Sequence, residues 1–160
     1  MSPGDYRTAA ARIRQEVPAL DAVAARAEGA WAGVSGAEDD YLVDAAALNL
    51  HGFYAGLERM FVAVAGRVDG SLPQGPNWHQ ELLQQMAADI PDVRPAVLDA
   101  DLAVRLDEYR GFRHVVRNVY AQRLDPLRVG ALVADLPGVW AAVEERLNAF
   151  ADALEAIARD

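Results

Sequence analysis

The chain has no cysteine and no lysine. Without thiols there can be no disulfide, cysteine nucleophile, iron–sulfur cluster or cysteine-ligated zinc. Without lysine there is no amine for Schiff-base chemistry, and all 15 basic residues are arginine. Glycine and proline are sparse, 12 and 8 of 160 residues, so turn formers are few. Positive charge is the minority sign: 24 acids face 15 arginines, for a net charge of −9. That balance argues against a protein that coats DNA generally. No apolar stretch approaches the roughly 18 residues of a membrane helix. The opening segment, MSPGDYRTAAARIRQEV, carries charges where a signal peptide needs an apolar run. The expectation is a soluble cytoplasmic protein without membrane association.

What is present is alanine, at 32 positions, within a composition that is 52% hydrophobic and 24% charged. This suits a folded, helix-rich core. A length of 160 residues favours one domain spanning 1–160. Acid–base chemistry near neutral pH falls first on the three histidines, His51, His79 and His114.

Periodicity predicts helix almost throughout. A first helical region covers about Asp5 to Trp31, with Pro18 kinking it or starting a second piece. Gly33 to Gly36 is a short break. The next helix runs from about Glu38 to Val68, with Leu50, Phe53, Leu57, Met60, Val64 and Val68 as its buried stripe. DGSLPQGP, Asp69 to Pro76, has loop chemistry. Asn77 and Gln80 are spaced as a capping box for a short helix to about Ala88. After a loop holding Pro91 and Pro95, Asp99 is the N-cap of a helix to about Tyr120. Asp125-Pro126 starts the last helical region, interrupted at Pro137 and running to about Ala158. With no alternating segment and no repeat, the fold class is all-α, a bundle of about five helices.

Charge is unevenly placed. Arg105 to Arg128 holds six arginines against Asp107, Glu108 and Asp125, while the rest of the chain holds nine against 21 acids. From Arg110 to Gln122 there is no acid at all. On a helical wheel with Leu106 at zero, Phe112, Val115, Val116 and Val119 cluster between about 180° and 280°, a core face. Arg110, Arg113, His114, Arg117 and Asn118 occupy the opposite face. Ion pairing to acidic neighbours is the plain explanation. The other is phosphodiester chemistry: guanidinium groups hold the phosphate and imidazole moves the 2′-hydroxyl proton, as in a metal-free ribonuclease.

The segment Phe112-Arg113-His114-Val115-Val116-Arg117-Asn118-Val119-Tyr120 resembles the signature of HepT-like ribonuclease toxins of the HEPN superfamily: Arg, a polar residue, three variable positions, His, one variable position, Tyr. LHGFYAGLERMF (Leu50 to Phe61), DGSLPQGPNWHQELLQQM (Asp69 to Met86) and IPDVRPAVL (Ile90 to Leu98) are also similar to one HepT-like subfamily. The resemblance covers roughly residues 38 to 130. It implies a four- or five-helix bundle whose homodimer sets two motifs face to face. It also implies RNA cleavage without metal, and a nucleotidyltransferase antitoxin that in some members adenylylates the motif tyrosine. By position, Arg113 is the motif arginine, His114 the polar residue and Tyr120 the modifiable tyrosine, while Arg110 and Arg117 would attract RNA.

One position departs from the signature. The motif histidine falls on Asn118, whose amide does not titrate, and the imidazole stands instead at His114, one helical turn away. Either His114 reaches the scissile phosphate with Asn118 positioning it, or the chain is a catalytically inactive bundle that binds a nucleotidyltransferase. A helical interaction module whose arginines serve only as ion pairs is the third reading.

Asp44, His51 and Glu58 recur by sevens on the second helix, too far apart for one metal ion. They form an acidic flank for the arginine helix, with Glu58 its obvious partner and His51 placed to meet a buried carbonyl. His79 is expected to be exposed or to cover the adjacent loop, and Trp78 to anchor that loop. Leu147, Phe150, Leu154 and Ile157 form a packing seam. No glycine-rich nucleotide loop, paired-carboxylate site or Ser-His-Asp set is present, so neither cofactor nor metal is expected.

Overall fold

The computed structural model describes residues 1–35, 39–117 and 124–160. Those residues form five α-helices: α1 (Pro3–Ala32), α2 (Asp40–Val64), α3 (Trp78–Met86), α4 (Ala100–Arg117) and α5 (Pro126–Ile157). Among them there is no strand, only a single bridge between Ile90 and Arg94. The fold is the expected all-α bundle. The expected helix start at Glu38 and helix end at Tyr120 lie outside the described residues.

The termini follow side-chain capping where the chemistry allows it. Ser2 caps α1 in a reciprocal box with Asp5. Asp99 accepts from the Leu102 amide at 2.7 Å to open α4, and Asp125 accepts from the Leu127 amide at 3.0 Å with Pro126 behind it to open α5. The capping box expected at Asn77 does not form: its side chain makes no cap hydrogen bond, and its backbone is not extended. Asn77 and Gln80 instead line a cavity between α3 and α4.

Neither interior proline ends its helix, so Pro18 starts no second piece and the interruption expected at Pro137 is absent. Each costs about 3 kcal/mol in lost hydrogen bonding and clash, but both lie inside continuous buried stripes. Ile13, Val17, Leu20 and Ala24 are buried around the first, and Val133, Leu136, Val139 and Trp140 around the second. Burying one such side chain is worth roughly 1.5–3 kcal/mol, so a continuous helix packed along its length outweighs the local penalty.

Helices α1 and α5 run antiparallel. The Arg7 guanidinium donates to the Ala158 carbonyl at 3.1 Å, Arg14 pairs with Asp152 and Glu155, and the Trp140 indole donates to Asp21 at 2.7 Å. At the far end Trp31 lies against Gly130. Helix α2 runs back along α1, with Leu20 packed on Gly56 and Val23 on Gly52. Phe53 of α2 meets Tyr109 and Trp140 edge-on, each at 5.8 Å between ring centroids. The Tyr109 hydroxyl donates to the Leu132 carbonyl at 2.8 Å, joining α4 to α5.

By length and composition α5 is long and apolar enough to cross a membrane, over a window of mean hydropathy 1.2. The expectation that no segment reaches this limit is thus corrected. Its apolar residues are spent on the bundle: Val129, Leu136, Val143, Leu147, Phe150 and Leu154 are all buried.

Helix α2 passes into a π-helical turn, Ala65–Asp69, ended by Gly70 in the left-handed conformation. Asp69 there meets the wholly buried guanidinium of Arg94, which also holds the carbonyls of Gln85, Ala88 and Pro95. Gln85 donates to Asp69 at 2.7 Å and to the Ser71 carbonyl at 3.0 Å. This network fixes α3, and with it the residues of its first turn, against the end of α2.

Candidate active site

The buried stripe of α4 is Leu102, Leu106, Tyr109 and Phe112. Its steps of four and three carry it next to Arg113, one heptad after Leu106. The core face is therefore rotated from the expected one. Val115 is 37% exposed, Val116 is partly buried against the core, and Val119 lies outside the described residues. The rotation follows from Leu106, which is fully buried: counting the apolar residues at both ends of α4 moves the centre of the buried face toward Arg113.

An arginine drawn into the edge of a core needs a counter-charge. Glu58 of α2, only 5% exposed, supplies it. Its Oε1 accepts from Arg113 Nη1, and its Oε2 is bonded to His79 Nδ1 at 2.6 Å. Arg113 Nε is also buried and has no acceptor among the described residues. The His79 ring stacks on Trp78, 3.6 Å between centroids with 29° between planes, and Trp78 packs against the core. His79 is therefore not exposed, the first alternative the sequence offered, but half-buried against Glu58. It is the third member of a triad drawn from α2, α3 and α4.

A cavity of about 150 Å³ opens beside this triad. Pro76, Asn77, His79 and Gln80 form one wall; Arg110, Arg113, His114 and Arg117 form the other. Arg110 donates to Asp107 at 2.6 Å, and that hydrogen bond holds its guanidinium still more firmly protonated. Each face of the cavity thus presents imidazole, guanidinium or amide groups suited to an anion.

His51 lies two turns before Glu58 on α2, half-buried, and its Nε2 is buried without a partner among the described residues. Among the described residues it meets no buried carbonyl. Burial, then the positive charges of Arg113 and Arg117, push its imidazole below the ordinary value. Asp44 is exposed. Among the described residues no three His, Asp or Glu side chains gather in a way that could hold a metal ion.

A family model described as HepT-like protein matches residues 45–154. The chain belongs to the HepT-like family. Comparison with curated proteins and with solved structures gives no significant match.

In this HepT-like protein Arg113, the arginine that resembled the signature's, sits on the cavity held by Glu58, and His114 lines the same wall. Arg110 and Arg117 lie there too. Asn118 and Tyr120 lie outside the described residues. The matched span contains α2 from Ala45, all of α3 and α4 and nearly all of α5, so every element that builds the cavity falls within it. Sequence reasoning found Glu58 as an arginine partner but missed His79. The residues that join His79 to the site are 21 and more positions away.

Proposed function

We propose that this HepT-like protein is the toxin of a toxin–antitoxin pair, a metal-independent RNA endonuclease that acts as a cytoplasmic homodimer. Its activity is held in check by a nucleotidyltransferase antitoxin whose target is Tyr120. The observation that carries the reading is the cavity where Arg110, Arg113, His114 and Arg117 converge. An arginine fork suits the two non-bridging oxygens of a phosphodiester. A guanidinium preorganised by a buried carboxylate stabilises the charge that builds on those oxygens during in-line displacement, typically worth 10²–10³ in rate. His114 supplies a proton-transferring group on the same wall, with Asn118 assigned to positioning it, and Arg110 and Arg117 draw the RNA strand in.

The test is cleavage of RNA by purified protein in EDTA. Wild-type protein is expected to cut, and Arg113→Ala and His114→Ala to reduce cutting at least a hundredfold; undiminished cutting by both would discard the assignment. A second reading is favoured by Asn118 at the motif-histidine position: a bundle that keeps its dimer and its nucleotidyltransferase partner but does not cleave. The same assay separates the two, since RNA left intact by wild-type protein that still co-purifies a nucleotidyltransferase supports the second.

A further inference from the structure

We infer that His79, held by Glu58, is a second imidazole of the cleavage site and the one that takes the 2′-hydroxyl proton. The inference rests on the ribonuclease reading above. Glu58 already accepts from Arg113 through one oxygen, so its other oxygen acts as an acceptor toward His79 Nδ1. An imidazole that donates from Nδ1 to a carboxylate keeps its lone pair on Nε2. The two nitrogens lie on opposite edges of the ring. The Glu58 side chain is 6% exposed and that of His79 31%, and His79 lines the cavity, so Nε2, the nitrogen that Glu58 does not hold, is the one assigned to the cavity side.

Two independent constraints fix the ring: the 2.6 Å bond to Glu58 and the stack on Trp78. A histidine serving only as an ion pair requires the first but not the second. The charged groups around it are Glu58 from α2 and Arg110, Arg113, His114 and Arg117 from α4. Because Asn118 cannot exchange a proton, an enzyme with this sequence needs its second titrating group elsewhere, and α3 provides one across the cavity from His114. In the step itself, His79 Nε2 takes the proton from the 2′-hydroxyl as the 2′ oxygen bonds to phosphorus. The bond from phosphorus to O5′ breaks, and protonated His114 gives its proton to O5′. The products are a 2′,3′-cyclic phosphate and a 5′-hydroxyl. His79 is the catalytic residue in this scheme, and Glu58 a positioning residue shared with Arg113.

The experiment is single-turnover cleavage of a short single-stranded RNA in EDTA by the full chain and its variants. His79→Asn keeps an N–H donor for Glu58 while removing the base. It is expected to cut 10²–10³ times more slowly with KM changed less than about threefold, and to lose the acid limb of the pH–rate profile. His79→Ala is expected to recover part of its rate when imidazole is added, whereas Arg113→Ala is not. If Arg113→Ala is inactive but His79→Asn cuts at the wild-type rate, the inference falls and the ribonuclease reading stands. A slow His79→Asn with a wild-type pH profile, together with a His79→Ala that imidazole does not restore, overturns it equally, since that is the pattern of a structural residue. Wild-type protein that leaves RNA uncut overturns both.

Discussion

Replacing Arg94 by methionine tests how the site is held in place. The Arg94 guanidinium is wholly buried, and Asp69 opposite it is 1% exposed. Nε donates to Asp69 Oδ1 at 2.6 Å and Nη2 to Oδ2 at 2.8 Å, while the remaining N–H groups reach the Gln85, Ala88 and Pro95 carbonyls at 3.0–3.2 Å. Every donor of the fork is used. Methionine matches the stem in volume but strands a buried carboxylate and leaves three carbonyls short of a donor. Removing one partner of such a pair costs about 3–5 kcal/mol. For a chain of this size each 1 kcal/mol moves the melting temperature by roughly 2–4 °C, so Arg94→Met should melt about 6–20 °C below wild type by far-UV circular dichroism. The double variant Arg94→Met/Asp69→Asn removes both charges and should recover a good part of that loss. A single variant within about 2 °C of wild type would refute the reasoning. So would a double variant as unstable as the sum of the two single changes, because the cost would then not arise from an uncompensated charge.

His51 should give stability a pH dependence of definite sign. Its folded-state value is lowered by burial and by Arg113 and Arg117, so below about 6.5 the unfolded chain binds a proton that the folded chain refuses. Stability present above that pH is lost as pH falls toward the folded value. Between pH 7.5 and 5.5 the melting temperature of wild type should therefore fall more than that of His51→Gln, and parallel curves would contradict this. Two glycine variants should move stability in opposite directions. An alanine Cβ at Gly130 would stand 2.4 Å from the Trp31 ring, whereas one at Gly29 meets nothing within 4 Å. Gly130→Ala should destabilise by about 1–3 kcal/mol and Gly29→Ala stabilise by about 0.5–1 kcal/mol, as read by urea denaturation.

The order of helices and loops was legible because it depends on local chemistry. Asp99 and Asp125-Pro126 are start signals whose partners lie two or three residues away, and the stripe from Leu50 to Val68 repeats over about five turns. The failures share a cause. Pro18 and Pro137 are breakers by local rule, overridden by packing with distant helices. Asn77 and Gln80 have capping-box spacing, yet Asn77 is not in the extended conformation a cap requires. On α4 a wheel centred on its C-terminal valines misplaced the core face, which Leu102, Leu106 and Tyr109 set through contacts with other elements. The candidate site divides in the same way. Arg110, Arg113, His114 and Arg117 share one helix and were visible together. His79 joins them only because the Asp69–Arg94–Gln85 network seats α3, a long-range arrangement with no trace in the local pattern.

The placement of Glu58 explains how an acidic protein can hold an acid-free stretch of arginines without losing stability. Arg110 is balanced by Asp107 on its own helix, and Arg113 by Glu58 from α2. Among the described residues Arg117 has no ion pair. The buried carboxylate holds both the guanidinium and the imidazole, two groups that line the cavity. The positive groups converge within about 150 Å³ on a chain that is otherwise strongly negative. Lysine could supply the charge there but not the planar fork, and in the proposed reaction the fork is what would let a single carboxylate fix Arg113 through Nη1 and leave further N–H groups for a phosphate.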